Sequence, residues 1–66
     1  MSEIRDRYGN WALVAGAAIG LGESFCTQLA KQGLNMVMID NRETELRILS
    51  NKLVQEYGIQ ALPLTL

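Results

Sequence analysis

The apolar run Trp11-Ala12-Leu13-Val14-Ala15 passes without a break into Gly16-Ala17-Ala18-Ile19-Gly20-Leu21-Gly22, and a helical pattern follows at once. A short apolar run of this kind suits a strand buried on both faces, and glycines at its end permit the tight reversal that feeds a strand into a helix. The junction therefore predicts strand, turn and helix in immediate succession. Glycines placed there also let the backbone approach a pyrophosphate, whose charge is attracted by the unpaired N–H groups and the positive dipole end of the helix. The layout is that of a dinucleotide site.

Downstream the same alternation repeats. Phe25 with Leu29, and Cys26 with Ala30, recur at four-residue spacing, which predicts a helix from Leu21 to about Gln32 with one apolar stripe. Gly33 ends it, and Lys31 in the last turn complements the negative dipole end. Met36-Val37-Met38-Ile39 then forms a second buried strand that stops at Asp40-Asn41-Arg42. A second helix is expected from Glu43 to about Tyr57, with Leu46, Leu49, Leu53 and Tyr57 on one side and Glu43 four residues before Arg47 on the other. Gly58 closes it. Ile59 to Leu66 is apolar and reads as a third strand, in which Pro63 favours an edge or strand-end position.

Strand, helix, strand, helix and strand in that order predict an α/β fold: a partial Rossmann-type βαβαβ unit with a three-stranded parallel sheet. Because parallel crossovers are right-handed, both helices should lie on one face. The strands lack the alternating polar positions of a water-facing side, so the other face should need a cover. The remainder of a larger chain, or a second copy in a homo-oligomer, would supply it. With 66 residues the chain makes at most one small domain, burying about three-fifths of its unfolded surface.

Several chemistries are excluded by composition. The net charge of -1 gives no basic field for nucleic acid. No histidine is present and Cys26 is the only cysteine, so zinc sites of the Cys/His kind, histidine catalysis and an internal disulfide are all ruled out. No metal site is expected. The charged start Met1-Ser2-Glu3-Ile4-Arg5-Asp6-Arg7 is unlike a secretory signal and no stretch is long enough to cross a bilayer, so the expectation is a cytoplasmic protein without a membrane partner. Cys26, on the apolar stripe, reads as packing rather than as a nucleophile. Trp11 and Phe25 are likewise expected to be buried.

Taken alone, three glycines in seven residues are equally a flexible turn or a packing device. Asp40 decides between the readings. It ends the second strand about twenty residues past the turn, where an acid accepts hydrogen bonds from an adenosine ribose; an isolated aspartate there would otherwise be a solvated turn residue opening the next helix. A P-loop fails, because Glu23 and Ser24 stand where a lysine and a hydroxyl residue would be needed.

Gly16, Gly20 and Gly22, in the order Gly-x-x-x-Gly-x-Gly after a strand, resemble the amino-terminal signature of the short-chain dehydrogenase/reductase family. The likeness runs on through Leu29-Ala30-Lys31-Gln32-Gly33, the strand ending in Asp40, and Tyr57-Gly58-Ile59. Tyr8-Gly9-Asn10-Trp11-Ala12-Leu13-Val14 and Gly33-Leu34-Asn35 are similar to its hydroxysteroid and long-chain ketoacyl reductase branch. The resemblance implies hydride transfer between a nicotinamide cofactor and a carbonyl or alcohol. It makes residues 1–66 an incomplete, amino-terminal portion of a dinucleotide-binding domain.

On this resemblance the cofactor-binding residues are Gly16, Ala18, Ile19, Gly20, Leu21, Gly22, Asp40 and Asn41. Asp40 repels a ribose phosphate and Ile19 is not basic, so NAD is favoured over NADP; Arg42 is the one nearby cation that opposes this, with a solvated first-turn role as its other reading. Ala15, Ala18 and Ile19 replace hydroxyl residues common in the family, which leaves more of the binding to the backbone. The family's catalytic Tyr-x-x-x-Lys pair is absent, since Ala12 and Ala61 stand four residues after Tyr8 and Tyr57. No catalytic residue is assigned, and the chain alone is expected to be inactive. Two other classes stay open: a non-catalytic nucleotide-binding or oligomerisation module, and a methyltransferase, which shares the fold but usually spaces its glycines differently.

Overall fold

A computed structural model describes Ser2–Glu3 and residues 10–66. Residues 4–7 of the charged start, and Tyr8-Gly9 of the branch resemblance, lie outside the described residues. The elements run β1 (Ser2–Glu3), β2 (Trp11–Ala15), α1 (Gly20–Lys31), β3 (Asn35–Asp40), α2 (Glu43–Tyr57) and β4 (Ala61–Thr65). They form one sheet in the order β1-β2-β3-β4. The pairs β2·β3 and β3·β4 are parallel, with Leu13, Val37 and Leu62 in one cross-strand row and Ala15, Ile39 and Leu64 in another. The βαβαβ unit is therefore present as expected. The two-residue β1 is an addition, pairing antiparallel to β2 with Ser2 opposite Leu13.

Both helices pack on one face. Along β2 and β3, Ala12, Val14, Met36 and Met38 are buried beneath them, while Leu13, Val37 and Ile39 between these are only half-buried. This alternation is the period of two that a sheet covered on one side must show. The second face presents the two apolar rows already named, with Leu62 50% and Leu64 39% exposed.

Under the helices the core is small and dense. α1 contributes Cys26, Leu29 and Ala30, α2 contributes Leu46, Leu49, Ser50 and Leu53, and the largest fully buried side chains include Met36, Met38, Leu46 and Leu53. Ser50 meets the requirement that a buried hydroxyl be bonded by donating to the Arg47 carbonyl at 3.0 Å. On the solvent side Arg47 and Glu43 pair at 2.8 Å as expected, an exposed contact worth about 0.3–0.5 kcal/mol.

Phe25 departs from expectation, being 46% exposed, and Trp11 is only half-buried. The cause is angular. Cys26, Leu29 and Ala30 define the inward side of α1, and Phe25 precedes Cys26 by about 100° of helical turn. Glu23, on the opposite flank, lines a groove shared with α2, so Phe25 sits on the rim away from α2.

β4 explains its own proline. The Gln60 carbonyl and the Leu66 N–H both bond to β3, so the backbone N–H and C=O groups of even-numbered positions face β3 and Pro63 turns its missing donor to the outer edge.

Candidate functional site

Residues 16–22 and the end of β3 build the site together. Gly16 leaves β2 with a left-handed φ of 71°, and Gly20 opens α1 with a φ of 62°. Between them the chain arches over the carboxyl end of β3, held by the Ile39 carbonyl, which accepts from Gly16 N–H at 2.8 Å and Ala17 N–H at 3.1 Å. Ala18 N–H is held differently, donating to Asp40 Oδ2 at 3.0 Å. Asp40 Oδ1 accepts from Arg42 N–H at 2.9 Å.

Gly22 has another task. It lies in the first turn of α1 directly over Gly16, where an added Cβ would overlap the Gly16 carbonyl oxygen and stand 2.6 Å from its carbon. Only a glycine lets the helix start this close to the strand that precedes it. Gly16 and Gly20, by contrast, have open space where a Cβ would go. Gly16→Ala and Gly20→Ala should each cost only about 1–2 kcal/mol, the left-handed backbone penalty, as read from the urea midpoint.

The amino end of α1 has no side chain serving it. Ile19, in extended conformation, occupies the N-cap position and makes no capping hydrogen bond. The N–H groups of Gly20, Leu21 and Gly22 find no acceptor outside the helix among the described residues. Most helices satisfy these donors with a Ser, Thr, Asp or Asn cap. Here no such cap is present.

Beside the arch lies a concavity of about 310 Å³ lined by Gly16, Ile39, Asp40, Asn41 and Leu66. It opens at the carboxyl ends of the parallel strands, where α/β sheets of this topology bind ligands. Gly16, Asp40 and Asn41 thus share one wall system. Ala18 and Ile19 instead line the groove between α1 and α2, with Glu23, Glu45, Ile48, Leu49 and Lys52. Leu21 is 80% exposed on the first turn. Sequence reasoning passed over Ile39 and Leu66; parallel register is the signal that finds them, since Leu66 N–H reaches the Asp40 carbonyl at 3.1 Å. A carboxylate, free helix N–H groups and a glycine-floored concavity fit a nucleotide diphosphate.

The same backbone donors set the charge of Asp40. The N–H groups of Ala18 first and Arg42 second hold the Asp40 carboxyl below its ordinary value of 3.8, against a smaller opposing push from desolvation. A lowered native value means the carboxylate's contribution to stability is complete above the unfolded value and lost as pH falls through the native one. Asp40→Asn should therefore remove part of the acid limb of the pH–stability curve, which denaturation at a series of pH values will read. Cys26 is the opposite case: burial, aided by Glu23, pushes its thiol up to about 11. It should resist alkylation at neutral pH until the protein is unfolded.

Fold and site together define a Rossmann-type nucleotide-binding segment, and known proteins narrow the class. A family model described as short chain dehydrogenase matches residues 10–66. A 7beta-hydroxysteroid dehydrogenase from Collinsella aerofaciens is 39% identical over 57 residues, covering 86% of this chain and 22% of that protein. A very-long-chain 3-oxoacyl-CoA reductase-like protein from Arabidopsis thaliana is 41% identical over 51 residues, covering 77% of this chain and 16% of its own length. The structure of an alcohol dehydrogenase from Thermococcus sibiricus, complexed with 5-hydroxy-NADP, superposes with a TM-score of 0.85 at 26% identity, covering 86% of this chain and 24% of that one. The chain belongs to the short-chain dehydrogenase family, as an amino-terminal segment with the family's nucleotide-binding fold. It spans about a fifth of the length of the curated relatives it matches. Among the described residues no helix is long and apolar enough to cross a membrane.

Proposed function

We propose that this chain forms the adenosine and pyrophosphate half of the cofactor site of an NAD-linked oxidoreductase that moves hydride between a nicotinamide and a carbonyl or alcohol. The observation that carries the proposal is the uncapped amino end of α1 beside a concavity whose rim bears the Asp40 carboxylate. The dinucleotide supplies the hydride chemistry. Residues of this chain bind and orient it: the N–H groups of Gly20, Leu21 and Gly22 face the phosphates, Gly16 floors the approach, and Asp40 with Asn41 receives the ribose.

Asp40, weighed against the Arg42 guanidinium two residues on, is the charge that supports a preference for NAD. Each Asp40 oxygen already takes one N–H and keeps a second acceptor site for a ribose hydroxyl. A phosphate on that ribose would meet a carboxylate. Across the Ala18 bond lies a groove with Glu23, Glu45, Ile19 and Ile48 on its walls and Lys52 as its one cation. The Thermococcus sibiricus structure contains an NADP derivative, whereas the preference for NAD proposed for this chain rests on its Asp40. Proton transfer falls to groups outside it, because neither tyrosine has a lysine four residues on.

Calorimetric titration of the whole natural protein with NAD, NADP and S-adenosylmethionine tests this reading. Asp40→Ala should weaken NAD by about tenfold more than NADP, the scale of one lost charge-assisted hydrogen bond. Equal losses would remove the assignment. The apolar second face of the sheet favours one further reading, a module that pairs chains without turnover. A folded assembly of defined solution mass that binds no nucleotide would establish it.

A further inference from the structure

Three residues of the glycine arch are fixed from outside it, and the anchors differ in kind. Gly16 and Ala17 are held by the Ile39 carbonyl, a backbone group that no ligand can alter. Ala18, midway between the two left-handed glycines, is held by the Asp40 side chain. From Ile19 onward the arch has no such tie, and the N–H groups of Gly20 to Gly22 are without an outside acceptor among the described residues. The last fixed point before the phosphate-facing amides is therefore a carboxylate.

That carboxylate is itself braced. Its second oxygen accepts from Arg42 N–H, the N-cap residue of α2, whose own carbonyl accepts from Leu46 N–H at 2.9 Å. Leu46 is fully buried in the core. A rigid path thus runs from the core through the start of α2 and Asp40 to the middle of the arch. We infer that Asp40, beyond receiving the ribose, is a positioning residue that sets the shape of the phosphate-binding turn through Ala18. The inference rests on the proposed cofactor site and couples its two halves through one side chain.

The two roles of Asp40 separate chemically. Replacing it with alanine removes both, whereas asparagine keeps one oxygen, which accepts from Ala18 N–H only with its amide nitrogen turned toward Arg42 N–H, and loses the charge offered to a ribose. A dinucleotide probe lacking both hydroxyls on the adenosine ribose is blind to ribose reception and still reports on the turn. In the whole natural protein, Asp40→Ala should speed hydrogen exchange at the Ala18 amide about tenfold or more and weaken the hydroxyl-free probe about tenfold, the scale of one net hydrogen bond. Where Asp40→Asn keeps the Ala18 amide protected, the probe's affinity should stay within about threefold of the parent while NAD itself remains impaired.

Unchanged exchange at Ala18 in Asp40→Ala would overturn the inference, and so would faster exchange with undiminished affinity for the probe. If Asp40→Ala fails to fold, the asparagine variant decides alone: exchange protection and probe affinity retained together or lost together support the inference, and loss of one without the other contradicts it. Should the parent bind neither NAD nor the probe, the cofactor reading falls, and the inference that depends on it falls for that reason while the exchange result records whether the tie exists.

Discussion

Gly22→Ala is expected to be the most damaging single methyl in the chain. Its Cβ would overlap the Gly16 carbonyl oxygen and crowd the Ala17 Cα at 3.0 Å, and all of these are backbone atoms with no rotamer to yield. Relief requires α1 to lift from β2 or the arch to open, and either movement strains a packed core. A cost of about 3 kcal/mol is expected, at the upper end for overpacking. The same displacement moves the N–H groups of Gly20 and Leu21, so cofactor affinity should fall about tenfold or more, the scale of one lost charge-assisted hydrogen bond. Urea denaturation and calorimetry read the two effects. The comparison with Gly20→Ala is diagnostic, because that site has room for a Cβ and carries only a conformational penalty.

Leu46→Ala should have the second large effect. Leu46 is fully buried in the first turn of α2, part of the core and three residues after the helix begins. Truncation of such a residue costs about 2–5 kcal/mol, through lost transfer energy and the cavity left behind. Stability runs at roughly 0.05–0.15 kcal/mol per residue, so the variant removes a large share of what a segment of this length contributes. Because the Leu46 N–H also bonds to the Arg42 carbonyl, loosening this turn should disturb Asp40 as well. Reduced nucleotide affinity ought to appear before the melting transition, and titration at several temperatures below it will show whether it does.

Much of this molecule was legible from residue order because its strongest signals are local. The run Trp11–Ala15, the spacing of Gly16, Gly20 and Gly22, and the β3 strand ending in Asp40 each depend on neighbours in sequence, and the observed βαβαβ unit follows them. The α2 boundaries coincide with the expected ones at Glu43 and Tyr57 for the same reason. Phe25 was harder. Its four-residue spacing to Leu29 satisfies a helical pattern, yet which edge of an apolar stripe stays in contact depends on where the neighbouring helix lies. The β1 pairing has no hydrophobic signature that two residues could carry.

At the site, the residue types were readable and their mutual bonds were not. Nothing in the spacing of Ala18 and Asp40 announces that a backbone N–H and a carboxylate 22 positions apart will meet. That contact arises only once the parallel register brings the arch against the end of β3. Ile39 and Leu66 entered the concavity the same way, as consequences of strand alignment.

The central claim is that free amides at the start of α1 and the carboxylate closing β3 together receive one end of NAD. Backbone NMR of the whole natural protein during titration with NAD tests this most directly. Saturable shifts concentrated at Gly16, Gly20, Leu21, Gly22 and Asp40, stronger for NAD than for NADP at equal concentration, are the predicted result. Saturable NAD binding that leaves those amides unmoved, or no binding by the folded protein, would contradict it.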